Sequence, residues 1–204
     1  MRKYHYITIE REYGSGGTKI ARKLASITGV PCYGHEILKA VSKKYNFSIE
    51  NIERYEENVP NSLLYTIYAL SQATSANPDM VSKEGHIFLA EQDEIRKMSG
   101  EGPAIFLGHC ASEALKERRG VVKVFIWATE KDKRNRIVED YAIPEHEVES
   151  IMKRFNRRRE RYYYANTTKR WNDFTNYDIV LNSSELGIDG CVAVLGSLLA
   201  DIPE

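Results

Sequence analysis

Two near-continuous apolar runs constrain the fold of this chain more than any other feature: residues 103–108 read PAIFLG and residues 121–128 read VVKVFIWA. Strands that are apolar on both faces are typical of parallel sheets covered by helices on each side. Residues 110–120 lie between these runs and predict a short helix. Strand-like stretches at 4–10 and 177–184 alternate with further helical segments. This order predicts a doubly wound α/β domain that binds its ligand beyond the carboxyl ends of the strands.

The bulk composition limits the class of protein. A chain of 204 residues that is 42% hydrophobic and 28% charged suits one domain spanning 1–204. Lys plus Arg and Asp plus Glu both number 29, which argues against nucleic acid or membrane as the main partner. No apolar run approaches the roughly 20 residues of a membrane span, and the start of the chain lacks a signal-peptide pattern. Three widely spaced cysteines fit neither a disulfide framework nor a zinc site, so we expect a cytoplasmic protein.

Residues 10–25, EREYGSGGTKIARKLA, form a glycine-rich turn between the first strand and an amphipathic helix. A phosphate-binding Walker A loop reads G-x-x-x-x-G-K-[ST], and here its first glycine is Arg11 and its lysine is Gly17. The remaining glycines precede a helix start, whose free N–H groups and dipole attract anions. Thr18 takes the position that ligates Mg²⁺, and Arg11 or Lys19 could replace the missing cation. A flexible turn without a ligand is the open alternative.

Residues 153–171, KRFNRRRERYYYANTTKRW, carry eight Lys or Arg and only one acidic residue. The amphipathic pattern just before them predicts a helix that anchors the segment to the domain. One interpretation is a solvated basic face, the usual fate of a charge run. The other is a lid of arginines over a polyphosphate, because the planar guanidinium makes bidentate contacts with phosphate oxygens. Together with the glycine turn, the second interpretation suits phosphoryl transfer, which depends on positioning and charge neutralisation.

Several stretches resemble the cytidylate kinase-like family of P-loop proteins: ITIEREYGSGGTKIARKLA, AIFLGHCASEAL, RRRERYYY, and RW ahead of NYDIVLNSSELG. The resemblance covers nearly the whole chain. It implies a five-stranded parallel sheet flanked by helices, a helical acceptor-binding region at 35–100 and an arginine-rich lid at about 150–172. The family's loop commonly reads R-E-Y-G-S-G-G, so Gly17 in place of lysine is a trait of the family. The resemblance therefore favours an altered phosphate cradle over a simple turn.

The chain departs from the family pattern on the acceptor side. Gly34 and His35 stand where the family usually has an aspartate and often a basic residue, and His109 stands where it usually has arginine. In cytidylate kinases that arginine helps to hold the nucleoside monophosphate. In the lid, Asn156 replaces an aspartate whereas Arg159 matches the family's arginine. These departures predict a changed acceptor or reduced turnover.

The resemblance implies an ATP- and Mg²⁺-dependent kinase that acts on a nucleoside monophosphate or a similar small acceptor. The alternative is a nucleotide-binding module with little or no turnover and a regulatory or interaction role. The sequence leaves a homodimer open. The site residues are the catalytic Arg11, Arg158 and Arg159, the nucleotide-binding Gly14, Ser15, Gly16, Gly17, Thr18 and Lys19, the acceptor-binding His35 and His109, and Thr18 as the metal ligand.

Some other residue types admit both a functional and a structural interpretation. Glu10 and Glu12 could hold Mg²⁺ through water, or they could be surface carboxylates beside a basic loop. Cys110 follows His109 but is expected to be simply buried. The tyrosines at 162–164 could stack on a base, although packing in the core is the more common role at the end of an amphipathic helix.

Overall fold

A computed structural model describes residues 4–45 and 83–199 of the chain. The strands are β1 (Tyr6–Arg11), β2 (Cys32–Tyr33), β3 (Ala104–Leu107), β4 (Val121–Trp127) and β5 (Ile179–Asn182). The helices are α1 (Gly17–Thr28), α2 (His35–Tyr45), α3 (Lys83–Gly100), α4 (Ala111–Ala114), α5 (Glu130–Tyr141), α6 (Glu145–Thr167) and α7 (Ser183–Leu199), with a 3-10 turn at Phe174–Asn176. None of the helices within these ranges is long and apolar enough to cross a membrane.

The five strands form one parallel sheet in the order β2-β3-β1-β4-β5. Strand β1 lies at the centre and pairs with β3 on one side and β4 on the other. The sequence prediction of a five-stranded parallel sheet flanked by helices is therefore confirmed. Because all strands run the same way, the turns after β1, β2 and β3 meet at one edge of the sheet.

Side chains of β1 alternate between the two faces of the sheet, as strand geometry requires. Ile7 and Ile9 face one side, where they pack with residues of α1 and α7 in a fully buried cluster. Tyr6 faces the other side and packs with α2, α3 and the neighbouring strand β3. Glu10 lies four residues after Tyr6, so its side chain points to the same face of the sheet. A buried carboxylate therefore lies at the carboxyl end of β1 on that face.

The helix ends follow local signals in the sequence. Gly29 ends α1 in the left-handed conformation at φ 69°, which a glycine adopts without strain. Thr129 caps α5 by accepting a hydrogen bond from the Asp132 N–H at 3.3 Å. The Thr129 N–H itself donates to the Ser184 hydroxyl at 2.9 Å. Sequence reasoning missed Ser184, which comes from the other end of the chain.

The helical region expected at 35–100 is described only at its two ends. There α2 packs against α3, and Leu38 and Val41 share a buried cluster with Ile87 and Phe88. Residues 46–82 lie outside the described part of the chain, and with them lies most of the expected acceptor-binding region.

Candidate active site

The glycine-rich turn links the end of β1 to the start of α1. Gly14 and Gly16 both have φ of 78°, a left-handed conformation that favours glycine. The Ser15 N–H donates to the Glu12 carbonyl at 3.2 Å, which folds the turn back toward the sheet. Helix α1 then begins at Gly17, so its first N–H groups and its positive dipole end lie at the turn. This backbone arrangement is suited to an anion.

The turn is held rigidly against its neighbours. A Cβ atom at Gly14 would lie 2.8 Å from the Lys133 carbonyl oxygen, so α5 approaches too closely for any side chain there. The guanidinium of Arg136 donates to the Ser15 carbonyl at 3.0 Å and to the Ser183 hydroxyl at 2.9 Å. Ser183 in turn donates to the Ser15 carbonyl at 2.6 Å. These contacts from α5 and α7 favour a preformed cradle over a flexible turn.

Arg11 and Gly17 are sterically complementary. A Cβ atom built at Gly17 would lie 2.7 Å from Cβ and 2.8 Å from Cγ of Arg11, which is closer than two carbon atoms can pack. The Arg11 side chain continues toward β3, where its Nη1 lies 2.6 Å from the position of a Cβ atom at Gly108. The missing Walker lysine and the added arginine are thus one paired change. The Arg11 stem occupies the space that a longer residue at position 17 would need.

Helix α6 docks directly on the turn. Asn156 Oδ1 accepts a hydrogen bond from the Tyr13 N–H at 2.8 Å, and Phe155 stacks on the Tyr13 ring with centroids 4.5 Å apart. One turn later, Arg159 Nη1 donates to the Arg11 carbonyl at 2.8 Å. Asn156, a departure from the family pattern, therefore supplies a side-chain oxygen that accepts a backbone N–H of the turn and holds the helix there.

A cavity of about 270 Å³ opens where β1, β3 and α6 meet. Its lining includes Arg11, Arg158 and Arg159, so the structure brings together the three predicted catalytic arginines. Burial, with repulsion from Arg11 second, lowers the pKa of Arg159 to about 9. Both guanidiniums still carry charge at neutral pH. Two like charges in a half-buried cavity are the electrostatic arrangement that an anion would stabilise.

Glu10 and Glu12, which sequence reasoning treated as a pair, lie in different surroundings. Glu10 is buried and lines the cavity, where its Oε2 accepts the Trp171 indole N–H at 3.1 Å. Burial raises the pKa of Glu10, and the charge of Arg11 is the largest opposing influence. Glu12 instead forms an ion pair with Lys133 at 2.9 Å. Only Glu10 remains available to a ligand in the cavity.

His109 lies at the cavity wall after β3. Its Nδ1 is 3.6 Å from Oε2 of Glu91, a fully buried residue of α3. The Tyr162 hydroxyl donates to the same Oε2 of Glu91, and Gln92 donates to the His109 carbonyl at 3.1 Å. His109 has φ of 57°, outside the range usual for a side-chain-bearing residue. Sequence reasoning missed Glu91, because nothing in a helical pattern reveals which distant residue it faces.

Other predicted site residues lie away from the cavity. Lys19 extends from α1 to Asp140, with its ammonium 2.6 Å from the carboxylate. His35 is exposed at the start of α2, whereas Thr18 is half-buried in the first turn of α1. Cys110, by contrast, borders the cavity, but it is buried in an apolar cluster, which favours its structural role. Within the described ranges, no group of three or more His, Cys, Asp or Glu side chains could hold a metal ion.

The fold and the turn together define a class of protein. A glycine turn that leads from the central strand of a parallel α/β sheet into a helix is the arrangement of P-loop kinase-type proteins. The chain matches the model of the cytidylate kinase-like family over residues 6–185, and it belongs to that family. The resemblance noted in the sequence is thereby confirmed.

Solved structures share the fold at low sequence identity. An uncharacterized protein from Eubacterium ventriosum is 22% identical with a TM-score of 0.70, over 95% of this chain and 97% of that chain. A sugar kinase from Janibacter is 13% identical with a TM-score of 0.51, over 96% and 94%. Shikimate kinase from Bacteroides thetaiotaomicron is 12% identical with a TM-score of 0.50, over 95% and 97%. No curated protein matches the chain.

We predict that restoring the Walker lysine alone damages the fold. Gly17→Lys should lower the free energy of unfolding by about 1–3 kcal/mol, the usual cost of forcing atoms into a packed region, because its Cβ meets the Arg11 stem. Combining it with Arg11→Gly removes the obstacle and should recover most of that loss. Denaturant unfolding of both single variants and the double variant measures the coupling. If the two substitutions changed the free energy of unfolding additively, Arg11 and Gly17 would not be sterically coupled.

Proposed function

We propose that this protein is a nucleotide-binding phosphotransferase that moves the γ-phosphoryl group of ATP to a nucleoside monophosphate or a similar small acceptor. The observation that carries the proposal is the shared cavity of Arg11, Arg158 and Arg159 beside the glycine turn. Phosphoryl transfer needs cationic groups and N–H donors fixed around the moving phosphate. Membership of the cytidylate kinase-like family supports the same chemistry.

Each part of the site has a proposed role. The backbone of 14–18 and the start of α1 bind the phosphates, and Arg11 supplies the charge of the absent lysine. Arg158 and Arg159 neutralise charge that develops on the transferred group. Thr18 would hold Mg²⁺, which would offset the negative charge of the phosphates. Lys19 pairs with Asp140, so we assign it no direct contact with phosphate.

The proposed domain organisation is one domain over 1–204, with an acceptor-binding region at 35–100 and a lid at about 150–172. A nucleotide-binding module without turnover is the less favoured alternative. A binding module needs only the glycine turn, whereas this site also places three arginines and a buried carboxylate around one cavity. The proposed setting is the cytoplasm, with a small nucleotide as partner. No described feature supports a homodimer.

The first prediction concerns nucleotide affinity. Arg11→Met keeps the stem that packs on Gly17 but removes the charge. It should weaken Mg-ATP binding by about one to two orders of magnitude, since a charge-assisted hydrogen bond contributes about 1.5–3 kcal/mol. Isothermal titration calorimetry measures the change. Arg22→Met, an exposed residue of α1, removes the same charge away from the cavity and should bind as the wild type does. If the wild type, Arg11→Met and Arg22→Met bound Mg-ATP with equal affinity, Arg11 would not contribute to nucleotide binding.

The second prediction concerns the lid. Because Arg11 and Arg159 repel one another until an anion neutralises them, residues 153–171 should open more often without nucleotide. Amide hydrogen exchange in this segment should slow when a non-hydrolysable ATP analogue binds. Arg159→Ala should then reduce turnover more than ATP affinity. Exchange that is equally slow with and without the analogue would contradict a moving lid.

The third prediction concerns CMP. His109 offers a single donor in place of an arginine fork, a loss of about 1.5–3 kcal/mol for a bound phosphate. We therefore expect CMP to be phosphorylated with kcat/KM below about 10⁴ M⁻¹s⁻¹, the low end for enzymes. His109→Arg should raise that value if position 109 meets the acceptor. Efficient use of CMP by the wild type, with no gain in the variant, would show that the acceptor binds elsewhere.

A further inference from the structure

Glu10 is a buried carboxylate at the end of the central strand to which the proposed function gives no role. It is only 8% exposed, and it lines the same cavity as Arg11, Arg158 and Arg159. Its Oε2 accepts the Trp171 indole N–H at 3.1 Å, whereas its Oε1 has no hydrogen-bond partner among the residues that the structure describes. One carboxylate oxygen is therefore available to a ligand in the cavity.

The packing around Glu10 does not by itself require a carboxylate. The Trp171 N–H needs one acceptor atom, which the amide oxygen of a glutamine would also supply. Arg11 and Arg159 influence Glu10 through their charge, and no hydrogen bond joins it to either guanidinium. Taking a carboxylate out of water without a direct ionic partner is unfavourable. Ionisable residues held in such surroundings concentrate at functional sites.

A carboxylate provides a function that the arginines of the cavity cannot. A guanidinium has no acceptor atom and stays protonated at neutral pH, so it cannot take up a proton. An acceptor hydroxyl must lose its proton when its oxygen bonds to phosphorus, and in protein kinases an aspartate receives that proton. A phosphate acceptor is already ionised at neutral pH and needs no such group. Cationic groups together with one available carboxylate oxygen therefore favour a hydroxyl acceptor.

We propose that the acceptor atom is a hydroxyl oxygen and that Glu10 is the general base that receives its proton; this rests on the proposed function. The hydroxyl oxygen forms a bond to the γ-phosphorus of the nucleoside triphosphate as the bond from that phosphorus to the bridging oxygen breaks. The hydroxyl proton passes to Oε1 of Glu10. The products are a phosphate monoester, a nucleoside diphosphate and a proton that Glu10 later releases to solvent.

Burial and neighbouring charges act on Glu10 in opposite directions. Burial is the largest influence and raises the pKa of Glu10, and the charge of Arg11 is the largest influence that lowers it. Burial thus increases the proton affinity of the carboxylate, while the guanidiniums favour its ionised form before the reaction. The charged and titratable groups around Glu10 are Arg11 of β1, His109 and Cys110 after β3, Arg158, Arg159 and Tyr163 of α6, and Tyr177 before β5.

Water tests the proposal without knowledge of the natural acceptor, because water is itself a hydroxyl acceptor. Wild-type protein with Mg-ATP should release inorganic phosphate slowly. Glu10→Gln keeps an oxygen for Trp171 but cannot take up the proton, so it should reduce that release by about 10²–10⁴-fold, the usual contribution of a general base. Glu139→Gln makes the same chemical change at an exposed site of α5 and should have no effect.

The pH dependence of phosphate release is a readout that a purely structural residue would not move. In the wild type the rate should rise as the pH increases through the pKa of Glu10, because only the ionised carboxylate accepts a proton. Glu10→Gln should lose this rise. Glu10→Asp keeps a carboxylate on a shorter stem, so it should retain the rise and recover part of the rate. A rise that persists unchanged in Glu10→Gln would overturn the proposal.

Coordination of Mg²⁺ is the competing role for Glu10, since carboxylates also bind this ion. If Glu10 acts as a base, wild type and Glu10→Gln should need the same Mg²⁺ concentration for half-maximal phosphate release. They should also bind Mg-ATP with similar affinity in calorimetry. If saturating Mg²⁺ restores the rate of Glu10→Gln, Glu10 holds the metal and the general-base assignment is wrong.

Cytidine and CMP, compared in the same assay, separate the two kinds of acceptor, because CMP adds a phosphate to the hydroxyl groups of cytidine. Transfer to water or cytidine that is lost in Glu10→Gln and kept in Glu139→Gln supports the hydroxyl assignment. Formation of CDP from CMP at equal rates in wild type and Glu10→Gln overturns it and leaves the kinase function intact. Binding of Mg-ATP with no transfer to water or cytidine also overturns it. Failure of Mg-ATP to bind in calorimetry refutes the proposed function itself.

Discussion

The crossing of Arg11 over Gly17 is the contact on which the site depends. Arg11 ends the central strand, its stem occupies the space above the start of α1, and its guanidinium reaches Gly108 after β3. Its carbonyl accepts Arg159 of α6. One residue thus joins β1, α1, β3 and α6 at the same edge of the sheet. The two glycines are required because each lies where a Cβ atom would meet that side chain.

The arginines that line the cavity are held in position by packing more than by ion pairs. Burial and mutual repulsion act against the charged form of Arg159, and Glu10 is the carboxylate that lines the cavity with the arginines. The backbone bond to Arg11, the stacking of Phe155 on Tyr13 and the Asn156 contact keep α6 on the turn. Such an arrangement stores an unfavourable interaction that a bound anion would relieve.

The departures from the family pattern divide into two kinds. Asn156 keeps a structural task, since an amide oxygen accepts the Tyr13 N–H as a carboxylate oxygen could. His109 changes the chemistry of the cavity wall, because a ring that faces Glu91 replaces a cationic fork. Gly34 leaves ordinary contact distance to Leu107, so the missing aspartate is not excluded by crowding at Cβ. The glycine turn thus matches the family's R-E-Y-G-S-G-G pattern, whereas position 109 departs from the family's arginine.

The sequence alone determined the parallel α/β class, the glycine turn and the basic segment, because apolar runs, glycines and charge are local properties. It also predicted a role for Arg11 from its place beside the glycine turn, and for Arg158 and Arg159 from the basic segment and the family resemblance. Only the tertiary structure decided that the Arg11 side chain packs over Gly17 and lines the cavity whereas Lys19 turns to Asp140. It also separated Glu10 from Glu12 and placed Glu91 behind His109. Contacts between distant elements arise from the packing of helices on the sheet, and no pattern within a single segment records them.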